Sequence, residues 1–262
     1  MTNLEIHSAR SFVPADRAEL FNTAYEGYHV PFHVDVAALE FMDGAFDLDL
    51  DASRIAFRDG EPVGLGNLGV RGEDAWIGGV GVVAAARRSG IGEALMLALH
   101  EQARERSVRR VWLEVIVENS GAFALYEKLG YRTVRDVEVW SLPAGEEDTE
   151  AAREVPAADA QARIRELGST RAPWQRADET VENYGDARGL STDEGAALFR
   201  GGSSVQLLQV AGEIEPFLRL LRGLGAVSVL NLPEDDPAAP ALRSLGATAV
   251  IRQHEMLLDL EN

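Results

Sequence analysis

The sequence predicts an α/β protein built of two like domains, in each of which strands and helices alternate. Three observations carry that prediction. A strand-like run, Trp76-Ile77-Gly78-Gly79-Val80-Gly81-Val82-Val83, feeds a glycine turn and then a long apolar helix. Hydrophobic spacing switches between strand and helix periods on both sides of that turn. Beyond an acidic, alanine-rich stretch the same order of elements recurs. A chain of 262 residues is long enough for two modest cores.

Taken in order, Pro14 to Tyr28 reads as an amphipathic helix, with Ala18, Leu20, Phe21, Ala24 and Tyr25 at helical spacing. Asp35 to Phe46 reads as a second helix. Arg54 to Arg58, the turn Asp59-Gly60 and Pro62 to Val70 read as a β-hairpin. After Arg71-Gly72-Glu73-Asp74 comes the strand ending at Val83. A helix from Ile91 to Arg106, a strand from Val111 to Val117, a helix from Ser120 to Leu129 and a strand from Tyr131 to Leu142 complete the first half.

Pro143 to Val155 is a linker by composition, with Gly145-Glu146-Glu147-Asp148-Thr149-Glu150 at its centre. Ala157 to Leu167 reads as a helix stopped by Gly168. Strands from Gly195 to Arg200 and Ser204 to Val210 flank Gly201-Gly202. A helix from Ile214 to Arg222, a strand from Ala226 to Asn231, a helix from Pro237 to Leu245 and a strand ending at Leu260 follow. The ends rhyme: Leu129-Gly130-Tyr131 with Glu138-Val139-Trp140, and Leu245-Gly246-Ala247 with Glu255-Met256-Leu257.

Composition narrows the function. With no cysteine, thiolate catalysis, disulfides and Cys-ligated zinc are excluded together. The formal charge is −18, split −8 through Leu142 (14 basic, 22 acidic) and −10 beyond it (11 basic, 21 acidic). No basic stripe marks a nucleic-acid or anionic-membrane partner. The acidity either draws a cationic amine or serves solubility alone. No apolar run has the length of a membrane span and the N-terminus is not a signal peptide, so a soluble, cytoplasmic protein is expected.

The turn Arg87-Arg88-Ser89-Gly90-Ile91-Gly92 carries the most chemistry. A strand that feeds a glycine turn and a helix N-terminus points backbone N–H groups and a positive dipole end outward, which suits phosphate. Gly90 and Gly92 leave no Cβ in the way, and Arg87 and Arg88 add positive charge. Further along stand Trp112-Leu113-Glu114-Val115 and Asn119-Ser120-Gly121-Ala122-Phe123-Ala124-Leu125-Tyr126, closing on Gly130-Tyr131.

Arg-x-x-Gly-x-Gly, Leu-Glu-Val and Asn-x-x-Ala-x-x-Leu-Tyr-x-x-x-Gly-Tyr, in this order, resemble the GNAT superfamily of N-acetyltransferases, closely over residues 50 to 142. The resemblance implies domains with a mixed, mostly antiparallel central sheet flanked by helices. It places a catalytic GNAT domain at 1–143, a linker at 144–156 and a degenerate GNAT-like domain at 157–262, a tandem arrangement known in the superfamily. The second copy lacks the phosphate motif: Ala211-Gly212-Glu213-Ile214-Glu215 puts two carboxylates there, and Leu242 stands where the first copy has Tyr126.

The same resemblance implies acetyl-CoA as cosubstrate, a primary amine as acceptor and no metal. Tyr126 matches the tyrosine that protonates the coenzyme A sulfur; its alternative role is packing on the cofactor. Glu114 matches the glutamate that takes the amine's proton in ribosomal-protein N-terminal acetyltransferases; orienting water, or solvent as base, are its alternatives. Val82 and Val83 are expected to bond the pantetheine arm through their backbone, as an added strand does. The backbone of Arg88, Ser89, Gly90, Ile91 and Gly92, with Arg87 beside it, is expected to cradle the pyrophosphate. Asn119 and Phe123 border the pantetheine and adenine side. Ala84 departs from the proline common in relatives.

Tyr25, Tyr28, Pro31, Phe32, Phe41, Met42 and Phe46 fall where such proteins build the acceptor wall, and as aromatics at helical spacing they read equally as core. Aminoglycoside, amino acid, polyamine and protein N-terminus all remain open, as do monomer and homodimer. A pseudoenzyme that senses acetyl-CoA is the rival reading. Gly64-Leu65-Gly66-Asn67-Leu68-Gly69 spells a dinucleotide string but follows a hairpin turn and leads into a strand. His29 and His33 have metal-ligand spacing, and Pro31 between them opposes a helix presenting both.

Overall fold

A computed structural model describes residues 3–30, 33–146, 152–168, 171–201 and 204–260. Pro31, Phe32, Gly202 and the stretch 147–151 of the expected linker lie outside the described residues. The chain divides into two compact units, Met1–Val134 with Glu255–Asn262, and Arg135–His254.

In the first unit the elements are β1 (Leu4–Ser8), α1 (Pro14–Ala24), α2 (Val36–Ala45), β2 (Arg54–Arg58), β3 (Glu61–Arg71), β4 (Asp74–Val82), α3 (Ile91–Glu105), β5 (Arg110–Ile116) and α4 (Ser120–Lys128). β6 (Arg132–Leu142) begins here and continues into the second unit. β1, β2, β3 and β4 pair antiparallel in that order, and β4 pairs with β5 in parallel. Asp59 and Gly60 both take positive φ (53° and 87°), the geometry a two-residue hairpin of Asp-Gly type requires. α1 stops at Ala24 rather than Tyr28, because the chain turns at Gly27 (φ 70°). Asp35 accepts a hydrogen bond from the Ala38 N–H (2.7 Å) and so starts α2.

The buried residues of α3 are Ile91, Leu95, Met96, Leu99, His100 and Ala103, one stripe of a helix. That stripe lies on β3. A Cβ at Gly66 would come within 2.8 Å of Leu99 Cδ1, so the dinucleotide-like string is a strand stripped of side chains to admit α3. Leu68, Leu99, Leu113 and Tyr131 share this core with Met256 and Leu260 from the far end of the chain. The Leu260 N–H donates to the Arg109 carbonyl (2.7 Å), tying that segment beside β5. Residues 255–260 are therefore part of the first unit's core.

The second unit holds β7 (Arg153–Val155), α5 (Ala157–Leu167), α6 (Asp178–Tyr184), β8 (Arg188–Ser191), β9 (Gly195–Gly201), β10 (Ser204–Gly212), α7 (Glu215–Leu224), β11 (Ala226–Pro233) and α8 (Ala238–Ser244). β12 (Thr248–Asp259) closes the described chain and crosses the unit boundary at Glu255. β7, β8, β9 and β10 pair antiparallel, β10 pairs with β11 in parallel, and β11 pairs antiparallel with β6. This repeats the order of the first unit strand for strand. Its core gathers Trp140, Phe199, Phe217, Leu218, Leu221, Val229 and Leu242.

Besides the end of α1, other features differ from the sequence reading, which placed neither β1, α6 nor β8. Residues 153–155, expected in the linker, form β7, held to β8 by a two-pronged Arg188–Glu154 pair (2.9 Å each). The last strands are also exchanged: from Arg135 β6 serves the second unit, and from Glu255 β12 serves the first. A cut at residue 143 thus follows the sequence but not the packing.

Candidate active site

β4 and β5 pair only over Asp74–Trp76 and Arg110–Trp112, although β4 runs on to Val82 and β5 to Ile116. The strands part where β4 bulges, with Asn67 facing Gly79, Leu68 facing Ile77 and Gly78 the extra residue. Two glycines make the bulge possible. Gly79 has φ 141°, and a Cβ there would lie 2.3 Å from the Tyr25 hydroxyl; a Cβ at Gly78 would lie 2.6 Å from the Trp76 ring. The result is an open strand edge facing the gap.

Alternation decides which groups that edge offers. The Val83 N–H donates to the Val63 carbonyl (3.0 Å), so it faces β3 and is not available to the gap. Gly64↔Val82 and Gly66↔Val80 are then the outward-facing pairs. The N–H groups of Val80 and Val82 thus face the gap, and that of Val83 faces β3. The Val82 carbonyl itself accepts from Arg87 Nε (2.9 Å).

Beyond β4 the chain passes through a short 3-10 turn at Ala84–Ala86 and reaches α3 through Gly90, which caps the helix in the left-handed region (φ 84°). The helical ladder begins with the Ala94 N–H donating to the Gly90 carbonyl (3.0 Å). The N–H groups of Ile91, Gly92 and Glu93 precede it and sit at the positive end of the helix. Nothing stands within 4 Å of a Cβ placed on Gly90, so the space in front of the helix is clear.

Arg87 does not face that space as expected. Its Nη2 donates to the carbonyls of Ala24 (3.1 Å) and Glu26 (2.8 Å), so it caps the end of α1 and ties it to β4. Arg88 (φ 60°) is exposed, and Arg58, which the motif does not include, donates to the Ser89 hydroxyl. Arg58 and Arg88 are therefore the cations at the turn. Glu93 in the first helical turn is paired with Lys128, the sole lysine (2.7 Å).

On the far side of the gap, α4 is capped by Asn119, whose side-chain oxygen accepts from the Ala122 N–H (3.2 Å). Asn119 also hydrogen-bonds the Tyr28 hydroxyl, which links the α1–α2 segment to α4. Tyr126, one face of α4 inward, is buried, and burial raises its pKa above the ordinary phenol value, with Tyr28 nearby adding to the shift. Tyr25 is raised for the same first reason, with Tyr126 and Tyr28 both contributing. All of these phenols are neutral at physiological pH. Phe123 packs half-buried on the same core.

Glu114 stands on β5 just past the parting and accepts a 2.8 Å hydrogen bond from the Trp76 indole N–H at the last paired residue of β4. Trp76 in turn meets Phe46 edge-on (5.4 Å between centroids). The bulge, the carboxylate and the Tyr126 phenol thus belong to one parted strand pair and the helix after it, and Tyr25 and Tyr28 come to them from the end of α1. The sequence reading gave Trp76 no part in the site, because its bond to Glu114 joins two strands far apart in the chain. Among the described residues no group of three His, Asp or Glu is arranged to hold a metal ion, and His29 stacks edge-on with Tyr28 (5.5 Å).

The second unit repeats the gap. β10 and β11 pair from Ser204↔Ala226 to Leu207↔Val229, then part at a bulge before Gln209. Its helix begins differently: the cap of α7, Ile214, is right-handed (φ −98°) where Gly90 is left-handed, and Glu215 in the first turn pairs with Arg219 (2.5 Å). Leu242, the counterpart of Tyr126, is fully buried in the core.

Residues 18–131 match the Acetyltransferase (GNAT) family. The [ribosomal protein bS18]-alanine N-acetyltransferase of Escherichia coli (strain K12) is 44% identical over 45 residues, which is 17% of this chain and 30% of that protein. The chain thus spans under a third of the length of the curated relatives it matches. Among solved structures, a GCN5-related N-acetyltransferase from Sphaerobacter thermophilus superposes with a TM-score of 0.73 at 17% identity, covering 99% of this chain and 96% of the other. A tandem GNAT protein from the clavulanic acid biosynthesis pathway gives a TM-score of 0.68 at 16% identity, covering 99% of each chain.

Proposed function

We propose, on the premise that residues 18–131 are a GNAT domain within a chain of tandem GNAT fold, that the protein transfers the acetyl group of acetyl-CoA to a primary amine in its first unit. The parting of β4 from β5 directly ahead of the Gly90 turn carries this reading, because a thioester on a pantetheine arm needs both features in line. The residues fit the cosubstrate: an open edge at Val80 and Val82, and clear space before a helix N-terminus flanked by Arg58 and Arg88.

Each group then has a task. The N–H groups of Ile91, Gly92 and Glu93 hold pyrophosphate oxygens. An outward N–H of β4 donates to the thioester oxygen as negative charge develops on it. Glu114 accepts the proton of the attacking amine, directly or through water, and Trp76 fixes its carboxylate. Tyr126, kept protonated by burial, gives its proton to the departing sulfur. A peptide N-terminus is the first acceptor to try, since the Escherichia coli relative is named for an alanine of a ribosomal protein.

The test is titration calorimetry with acetyl-CoA, followed by thiol release with a panel of peptide, polyamine and amino-acid amines. One site per chain with turnover of at least one amine supports transfer. Binding without turnover across the panel turns the reading to a sensor, and no binding ends both.

A further inference from the structure

Arg87 opens the pyrophosphate motif, yet its side chain turns to α1. Its Nε donates to the Val82 carbonyl (2.9 Å), and its Nη2 to the carbonyls of Ala24 (3.1 Å) and Glu26 (2.8 Å). The last carbonyls of a helix have no partner within it, and here a guanidinium from more than sixty residues away supplies one. One planar group thus joins the last residue of β4 to the end of α1, and arginine alone offers its donors in so fixed a fork. Three residues further on, Gly90 begins the helix that faces the cosubstrate's phosphates.

The segment that Arg87 holds is a wall. Tyr25, Glu26, Gly27 and Tyr28 line one open cavity of about 590 Å³. Tyr25 stands at the bulge of β4, with its hydroxyl where a Cβ of Gly79 would be. Tyr28 meets Tyr25 edge-on (5.3 Å between centroids), and its hydroxyl bonds Asn119 at the cap of α4. The wall is therefore tied at one end to the pyrophosphate turn and at the other to the far side of the gap. Glu26 and Gly27 between these ties are exposed, and Gly27 has the freedom of a left-handed turn (φ 70°). Without Arg87 the start of that turn loses both side-chain bonds to its carbonyls.

We infer that Arg87 is a positioning residue for the amine acceptor rather than a ligand of the cosubstrate: its fork fixes the wall along which the amine reaches the thioester. This rests on acetyl transfer in the first unit, as proposed above. A wall displaced by about an ångström costs the amine its alignment, while the phosphates keep the α3 N-terminus, Arg58 and Arg88.

Two variants test it: Arg87→Lys, which keeps the charge and loses the fork, and Arg87→Ala. The amine used is whichever peptide, polyamine or amino acid of the panel the parent turns over fastest. Both variants should raise the KM of that amine about tenfold or more and leave kcat within about threefold of the parent. Acetyl-CoA affinity by calorimetry should also stay within about threefold. Hydrogen exchange gives a readout that needs no amine. The Tyr28 N–H, bonded to the Tyr25 carbonyl (3.0 Å), should exchange about tenfold faster in both variants. If Arg87→Ala fails to fold by circular dichroism, Arg87→Lys carries the test. A parental amine KM, a loss of acetyl-CoA affinity of about tenfold, or unchanged exchange at Tyr28 in a folded variant overturns the assignment. A parent that turns over no amine overturns acetyl transfer and this assignment together, so the parent's own activity tells the two failures apart.

Discussion

Tyr126 shows how much a single residue's surroundings decide. Burial holds its phenol protonated beyond the ordinary range, so its proton is in place at any working pH. Tyr126→Phe is expected to lower kcat by about 10²-fold or more while leaving acetyl-CoA affinity nearly unchanged, read from steady-state thiol release beside calorimetry. Activity in the parent should show no loss from this group as pH rises to about 10, the usual phenol range. His100 gives a second residue-scale prediction. It is buried, bonded at 2.8 Å to the Tyr131 hydroxyl, and its pKa is lowered to about 4 by burial, with Arg104 adding to the shift. The unfolded chain binds the proton first, so stability is full above about pH 6.5 and falls as pH drops towards 4. That loss amounts to about 3 kcal/mol. Denaturant melts across this window should flatten in His100→Gln; a parent curve already flat would remove His100 as the cause. Both tyrosines and Glu114 were legible because their motif is local. The real partners of Arg87 were not, since its bonds to Ala24 and Glu26 span more than sixty residues.

At the scale of elements, β4 is the part on which the site depends. Gly79→Ala forces a side chain into φ 141° and against the Tyr25 hydroxyl, so it should cost about 1–3 kcal/mol of stability and weaken acetyl-CoA binding. A variant as stable and as tight as the parent would show that the bulge does not shape the gap. Gly90→Glu places a carboxylate before the α3 N-terminus, where space is open, and should abolish acetyl-CoA binding with the fold retained by circular dichroism. The helices, α6 excepted, and the central strands were legible from period and caps; Asp35, Asn119 and Asp59-Gly60 each do what their type suggests. The edge strands were not. Leu4-Glu5-Ile6-His7-Ser8 and Arg153-Glu154-Val155 are short and mostly exposed, so their pairing owes more to a neighbour's free edge than to an apolar pattern of their own. The end of α1 was overrun for a related reason: Tyr25 and Tyr28 continue the helical spacing, but Gly27 turns the chain.

The internal duplication was visible in the recurring order of elements, and the structure repeats it down to the parallel pair and its bulge. Which final strand completes which unit was not visible, because both carry the same alternating pattern and would satisfy either core. The exchange has a measurable effect. A chain of residues 1–143 lacks Met256 and Leu260, both buried in the first unit's core. Removing one such side chain costs about 2–5 kcal/mol, and domains hold only about 5–15 in all. This fragment should therefore show no cooperative melt and no acetyl-CoA binding, and a version carrying residues 248–260 on a flexible linker should regain both; a fragment that melts cooperatively by itself would refute this. The same exchange separates the first unit's core residues along the chain by the whole of the second unit. During synthesis the first unit stays unfinished until residue 260 emerges, so a chain broken off before that point by a premature stop codon should never complete this core, however much of the motif it contains.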